Sequence, residues 1–385
     1  MGGGSYSLDV TRRVHSGGNN SAFQSAVAPA AHDVHAALNP FGKRPEVNHA
    51  TPIIVALDVT RSCGDDTKLM YETLAQLMGQ IELRGYVENP GISFCAIGDA
   101  TCDRAPLQVS QFEGDNRLDE ALGRIWIEEG GGGTGQESYE LAAYFYSRTN
   151  CVRLAAGTGK KGYCFFVGDE GFYTTLDKAT IYRVTGDKVS EDIPAAEVFR
   201  RLQEKFHAFL IYPQKTMAER RASIDAEIRE RVMKAGGQYD GVDIGASLLW
   251  SADASDMLIG VFDHDPKAHA ARPPESADKY AGYADDVVLA QWATVIPKEH
   301  ILRVGDPKSI TDVLLGALLI ADCKVDLDSY VKDMRELGSA EERVRGVEAA
   351  LAGLPSAQKV AAAVIEGDLP APPAPESRKK KTVRL

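Results

Sequence analysis

Three short segments of this chain hold residues whose types and spacing suit chemistry. The first is Asp58-Val59-Thr60-Arg61-Ser62, in which Asp58, Thr60 and Ser62 recur two apart. In a turning loop that spacing lets one carboxylate and two hydroxyls converge on a point. An all-oxygen donor set of this kind suits a hard cation, Mg2+ or Mn2+, and not Zn2+. The second segment is the glycine loop 130–135, which carries a further hydroxyl on Thr134. The third is Asp169-Glu170, where Asp169 is placed to reach the same ion directly or through water. Such a set leaves coordination incomplete, so an acidic group from another molecule can fill the remaining position. Each segment also has a plainer reading: a helix cap for Asp58-Val59-Thr60, a turn for the glycines, and a solvated acidic pair for Asp169-Glu170.

What makes the three notable is where the surrounding pattern puts them. Residues 52–59, PIIVALDV, form a continuous apolar run of strand length, rich in β-branched residues, as expected of a parallel strand buried on both faces. Residues 67–85 follow with apolar positions at helical spacing and a closing Gly85. Strands are then expected over 91–100, 107–112, 162–171, 207–213 and 300–304. Helices are expected over 117–127, 137–148, 195–206, 217–236 and 309–321, the last opened by a Ser309 cap. Strand–helix alternation predicts an α/β protein with a doubly wound, mostly parallel sheet. In such sheets ligands lie beyond the carboxyl ends of the strands, where the strand order reverses. The three polar segments all fall at such places.

The runs PIIVALDVTRS, GGGGTGQESYELA and FFVGDE resemble the von Willebrand factor type A (vWA) domain with its metal-ion-dependent adhesion site. That motif reads Asp-x-Ser/Thr-x-Ser, then Thr, then Asp, and its positions match Asp58, Thr60, Ser62, Thr134 and Asp169. The likeness is closer to intracellular bacterial (or phage) proteins with this domain, through Pro106-Leu107-Gln108-Val109, Gln111-Phe112-Glu113 and the Glu-Ser-Tyr at 137–139. It spans about residues 40–235 and, more loosely, 296–322. It implies a Mg2+ (or Mn2+) site that takes an Asp or Glu of a protein partner, in an adaptor often acting beside an AAA+ ATPase. Two departures stand out: Arg61 and Cys63 replace the usual Gly and Met around Ser62. For the second-loop ligand, Glu137 and Ser138 are alternatives to Thr134. The competing functions are a Mg2+-dependent phosphoester-processing enzyme, an RNA-associated scaffold, and a scaffold whose site no longer binds metal.

Composition narrows these. The 385 residues carry 43 basic and 55 acidic side chains, net −12, which repels phosphate backbones and disfavours nucleic acid as a partner. The longest apolar stretch, 313–321, is about half of what a bilayer needs. The first residues show no apolar core of signal-peptide length, and the six cysteines are scattered without a Cys-x-x-Cys pair. A reduced, cytoplasmic setting is expected. The segment 155–162, AAGTGKKG, mimics a phosphate loop but has Leu154 at the first glycine position and Lys161 in place of the hydroxyl, so it reads as a basic surface loop. The histidines at 32, 35, 264 and 269 have no diagnostic metal spacing.

The expected organisation is a flexible arm over 1–48, the vWA-like domain over 49–235, and an inserted β-lobe and loop over 236–295. The last strand and helix of the domain then take 296–322. A C-terminal helical extension follows over 323–369, its second helix opened by a capping box at Ser339, able either to pack on the sheet or to dock a partner. A disordered Pro-rich basic tail closes the chain over 370–385.

Overall fold

The structure, a computed structural model, describes residues 34–59, 77–126, 136–214 and 287–355. In chain order the main elements are β1 (Thr51–Asp58), α1 (Leu77–Arg84), β2 (Pro90–Ile97), β3 (Leu107–Val109), α2 (Arg117–Gly123), α3 (Tyr139–Ser147) and β4 (Gly162–Val167). They continue with α4 (Lys178–Thr185), α5 (Ala195–Gln203), β5 (Phe206–Pro213), β6 (Ile301–Val304), α6 (Ile310–Ala321), α7 (Leu327–Glu336) and α8 (Glu341–Leu351). The six strands form one sheet in the order β6-β5-β4-β1-β2-β3. All neighbours are parallel except β2 and β3. The order runs outward from β1 in one direction and outward from β4 in the other, so the switch point lies between β1 and β4. The expected doubly wound α/β fold is therefore the observed one.

Why the strands are apolar throughout follows from the layers. In β1, Ile53, Val55 and Leu57 join the core under α1, α2 and α6, while Ile54 and Ala56 join the core under α3 and α5. In β4 the same alternation sends Tyr163, Phe165 and Val167 one way and Cys164 and Phe166 the other. A strand buried on both faces has no polar side to spare. The alternation also sets the next residues: Asp58 and Gly168, each one step past the last apolar pair, fall on the α3 side.

Helix α3 is buried along its whole length, Glu140 included. On the other face α6 is buried over Ile310–Ile320 because α7 and α8 cover it. Gly316 permits that approach: a Cβ there would lie 2.5 Å from Leu351 Cδ1 and 2.7 Å from Tyr330 Cε1. The Tyr330 hydroxyl donates to the Asp312 carbonyl at 2.7 Å, and Arg343 Nε donates to Asp312 Oδ2 at 2.5 Å. The described part of the C-terminal extension thus packs on the sheet domain. Residues 34–48 lie against the body too. Leu38 is buried and its carbonyl accepts from Val109 N of the edge strand, while Glu46–Val47 pairs with Asn150–Cys151.

Several details depart from the sequence reading. The second strand ends at Ile97, because the Asp103 carboxylate accepts from Asp99 N at 2.6 Å and turns the chain there. Ser309 makes no side-chain cap; Asp306 does that work one turn earlier, accepting from Lys308 N. The expected box at Ser339 is also absent, since α8 starts after Ala340 with no side-chain cap. Helix α4, capped by Asp177, is an element the pattern did not suggest. Residues 287–292 are helical. The remainder of the expected β-lobe (236–286), the helix over 217–236, the N-terminal part of the first helix and the C-terminal tail lie outside the described residues.

Candidate metal centre

Asp58 ends β1 with its side chain wholly buried. The Tyr139 hydroxyl, from the first residue of α3, donates to Asp58 Oδ2 at 3.1 Å. That contact passes across Gly168. A Cβ on Gly168 would stand 1.9 Å from the Tyr139 hydroxyl oxygen and 2.9 Å from Asp58 Cβ, so only glycine leaves room for the pair. Asp169 and Glu170 follow at once, and Asp169 is also buried. Thr60, Ser62 and Thr134, as well as Arg61, lie outside the described residues. Of the five expected ligands, Asp58 and Asp169 stand at the ends of the two strands flanking the switch point.

The stretch 136–139 is stitched to all three strand-end loops. Glu137 pairs in parallel with Phe172, just past Asp169-Glu170. Ser138 N donates to the Gly98 carbonyl at 3.1 Å, and Ser138 Oγ accepts from Ala100 N at 2.8 Å, both in the turn after β2. Tyr139 reaches Asp58 after β1. Ser138 is thereby committed to holding two loops together.

Glu137 is the unusual member. Its side chain is 4% exposed, and Oε2 has no hydrogen-bond partner among the described residues. Burial pushes its carboxyl far above the usual carboxylate range, and the negative charges of Asp58, Glu170, Asp103 and Asp99 push it further. A buried carboxylate surrounded by carboxylates, with an oxygen unmatched, is costly unless it takes up a proton or a cation stands nearby. The acidic residues of the turn after β2 are already engaged. Asp99 accepts from both Tyr173 Oη, at 3.0 Å to each oxygen, and Thr101 Oγ1 at 2.7 Å.

An aromatic buttress sits behind the acidic loops. Trp292 is fully buried with ring centroids 5.0 Å from Tyr139, 5.4 Å from Phe166, 5.2 Å from Phe172 and 5.6 Å from Phe199. Its Nε1 donates to the Glu170 carbonyl at 3.0 Å, and Gln291 bonds both backbone groups of Phe172. Glu140, wholly buried, accepts from Tyr173 N at 3.2 Å, and burial pushes its carboxyl up to about 8. Among the described residues, no three His, Cys, Asp or Glu side chains are arranged to hold a metal by themselves. Asp58, Asp169 and Glu137 bring buried carboxyl groups to the same end of the sheet, and oxygen donors of this kind suit a hard divalent ion only when further ligands complete the set.

Sequence reasoning weighed Glu137 as a second-loop donor but had no sign of its burial. It missed Tyr139 as the partner of Asp58 and Gly168 as the gap between them. The only local signals were a tyrosine beginning a helix and a glycine directly before Asp169.

The fold makes the chain a doubly wound α/β protein with buried acidic residues at the strand ends of its switch point. No protein-family model matches the chain, and no curated protein matches it significantly. Among solved structures it is similar to the pilus adhesin SpaC from Lactobacillus rhamnosus GG in its open conformation, at 9% identity and a TM-score of 0.31, over 48% of this chain and 27% of the adhesin. A second form of that adhesin aligns at 8% identity and the same TM-score, over 49% of this chain and 28% of the adhesin. The chain thus spans little more than a quarter of the adhesin's length, and a TM-score this low does not define a shared fold.

Proposed function

We propose that this protein is a metal-dependent protein-recognition module of the vWA type. Asp58, Thr60 and Ser62 hold Mg2+ (or Mn2+), with Thr134 and Asp169 as direct or water-mediated ligands. The observation that carries this reading is the position of Asp58 and Asp169, at adjacent strand ends on either side of the switch point. The motif resemblance requires those two residues to meet at one edge of the molecule. Bound there, the ion supplies a Lewis-acid position for the carboxylate oxygen of a partner's Asp or Glu.

The chain's own residues prepare that position. The Tyr139 hydroxyl fixes one Asp58 oxygen and leaves the orientation of the other determined. Gly168 keeps the space between strand ends clear, and Trp292 anchors the Glu170 backbone. The partner class, including an AAA+ ATPase, comes from the resemblance. A reduced, cytoplasmic setting is part of the same proposal. It is supported by Cys95, Cys102, Cys151, Cys164 and Cys323, all of them free thiols. Among the described residues no helix is long and apolar enough to cross a membrane.

Calorimetric titration of Mg2+ and of Mn2+ into the wild type and into Asp58→Ala tests the reading. Saturable binding to the wild type is expected, weakened more than about 100-fold in the variant. Equal heats from the two proteins would leave a scaffold without a functioning metal site.

A further inference from the structure

We infer that Glu137 is a ligand of the same divalent ion, an anionic donor from the segment before α3 beside Asp58. The inference rests on the metal-site reading just given and deepens it, because the motif itself asks only for a hydroxyl from this part of the chain.

Two independent observations carry it. The first is placement. Glu137 is held between Phe172 on one side, through strand pairing, and the Gly98 carbonyl on the other, through Ser138 N. Tyr139, two residues further along, is hydrogen-bonded to Asp58. Glu137 therefore sits among the loops that follow β1, β2 and β4, and its backbone is fixed there by bonds to two of them. The second is the unmatched Oε2 on a side chain 4% exposed. Buried carboxylate oxygens are ordinarily bonded. Tyr139 donates to Asp58, Tyr173 donates to Asp99, and Tyr173 N donates to Glu140, so the donors around Glu137 serve its neighbours. A bound cation would match this oxygen. A divalent ion is the species that the neighbouring oxygen donors suit.

The chemical consequence concerns which partner the site accepts. Asp58 and Glu137 together would neutralise a divalent ion. An ion so neutralised draws a partner carboxylate less strongly than one held by hydroxyls. The partner's Asp or Glu would then be flanked by Lys or Arg, which compensate the surrounding acidic loops.

The test compares Glu137→Gln, Glu137→Asp and Asp58→Ala with the full-length wild type by Mn2+ calorimetry, alongside metal-free thermal melting. A ligand role predicts that Glu137→Gln weakens Mn2+ binding about tenfold or more, while its metal-free melting temperature does not fall. It also predicts that Glu137→Asp, which keeps the charge, binds Mn2+ more tightly than Glu137→Gln, which keeps the shape. Should Glu137→Gln bind Mn2+ like the wild type while Asp58→Ala loses it, the assignment of Glu137 fails and the metal site stands. Should the order of the two Glu137 variants reverse, Glu137 is a packing residue. No saturable binding to the wild type would remove both readings together.

Discussion

Gly168 offers the sharpest test of how the strand ends are assembled. Replacing it by alanine puts a methyl group 1.9 Å from the Tyr139 hydroxyl oxygen, 2.9 Å from Asp58 Cβ and 3.1 Å from Tyr139 Cζ. The first distance is impossible, so the tyrosine or a strand end must move. Overpacking of this kind costs about 1–3 kcal/mol. Tyr139→Phe alone removes a donor to a buried carboxylate oxygen at 3.1 Å, a loss of about 1.5–3 kcal/mol. If the two effects were independent, the double variant would lose about 2.5–6 kcal/mol. They are not independent, because the hydroxyl removed by Tyr139→Phe is the atom the new methyl would strike. The double variant should therefore be more stable than the sum by at least about 1 kcal/mol, a coupling typical of residues in contact. Urea unfolding of the four proteins, followed by circular dichroism at equal m-values, measures this directly. Losses that add to within about 0.5 kcal/mol would refute the account, since the strain would then lie in the backbone of the β4 turn and not at the hydroxyl.

Two further outcomes are expected. Glu140 is buried with its carboxyl raised from 4.5 to about 8, so it stays protonated in the folded chain while the unfolded chain ionises. Below pH 4.5 it brings no penalty. Between 4.5 and 8 stability is lost at about 1.4 kcal/mol per pH unit, or about 3 kcal/mol by pH 7. Glu140→Gln keeps an acceptor for Tyr173 N and should be the more stable protein at pH 7, with the difference vanishing by pH 4. Parallel stability curves for the two proteins across that range would exclude Glu140 as the titrating group. On the opposite face, Arg343→Ala strips the partner from a buried Asp312 and should cost about 1–3 kcal/mol. Adding Asp312→Asn should recover part of that in chemical denaturation, whereas no recovery would mean that the loss comes from the packing of the arginine stem.

Much of the fold could be read in advance because a parallel sheet covered on both faces leaves a loud signal. Runs such as 53–57 and 163–167 are apolar at every position, and no surface strand needs that. The helix α4 escaped notice for the converse reason. Its KATIYRVT is largely β-branched or polar and buries only Ile181, Val184 and Thr185, so its periodicity is faint, and its strongest cue is the Asp177 cap. Ser309 and Ser339 mislead in the same way. A hydroxyl before an apolar run is a cap only if the backbone turns there, and Asp306 and Ala340 show that it turns elsewhere.

The sequence by itself determined the layer order of the chain's polar and apolar material, and with it that Asp58 and Asp169 would stand at strand ends. Local alternation suffices for that, since each strand's side chains point by turns to one face and the other. Only the tertiary structure decided what those residues meet. Tyr139 lies 81 positions from Asp58, and Gly168 comes between them because β4 is placed beside β1. Glu137 looks like any exposed acidic residue along the chain. It becomes a buried carboxylate with an unmatched oxygen because three separate strand ends close around it, and a charge's cost depends on its surroundings and not on its neighbours in sequence.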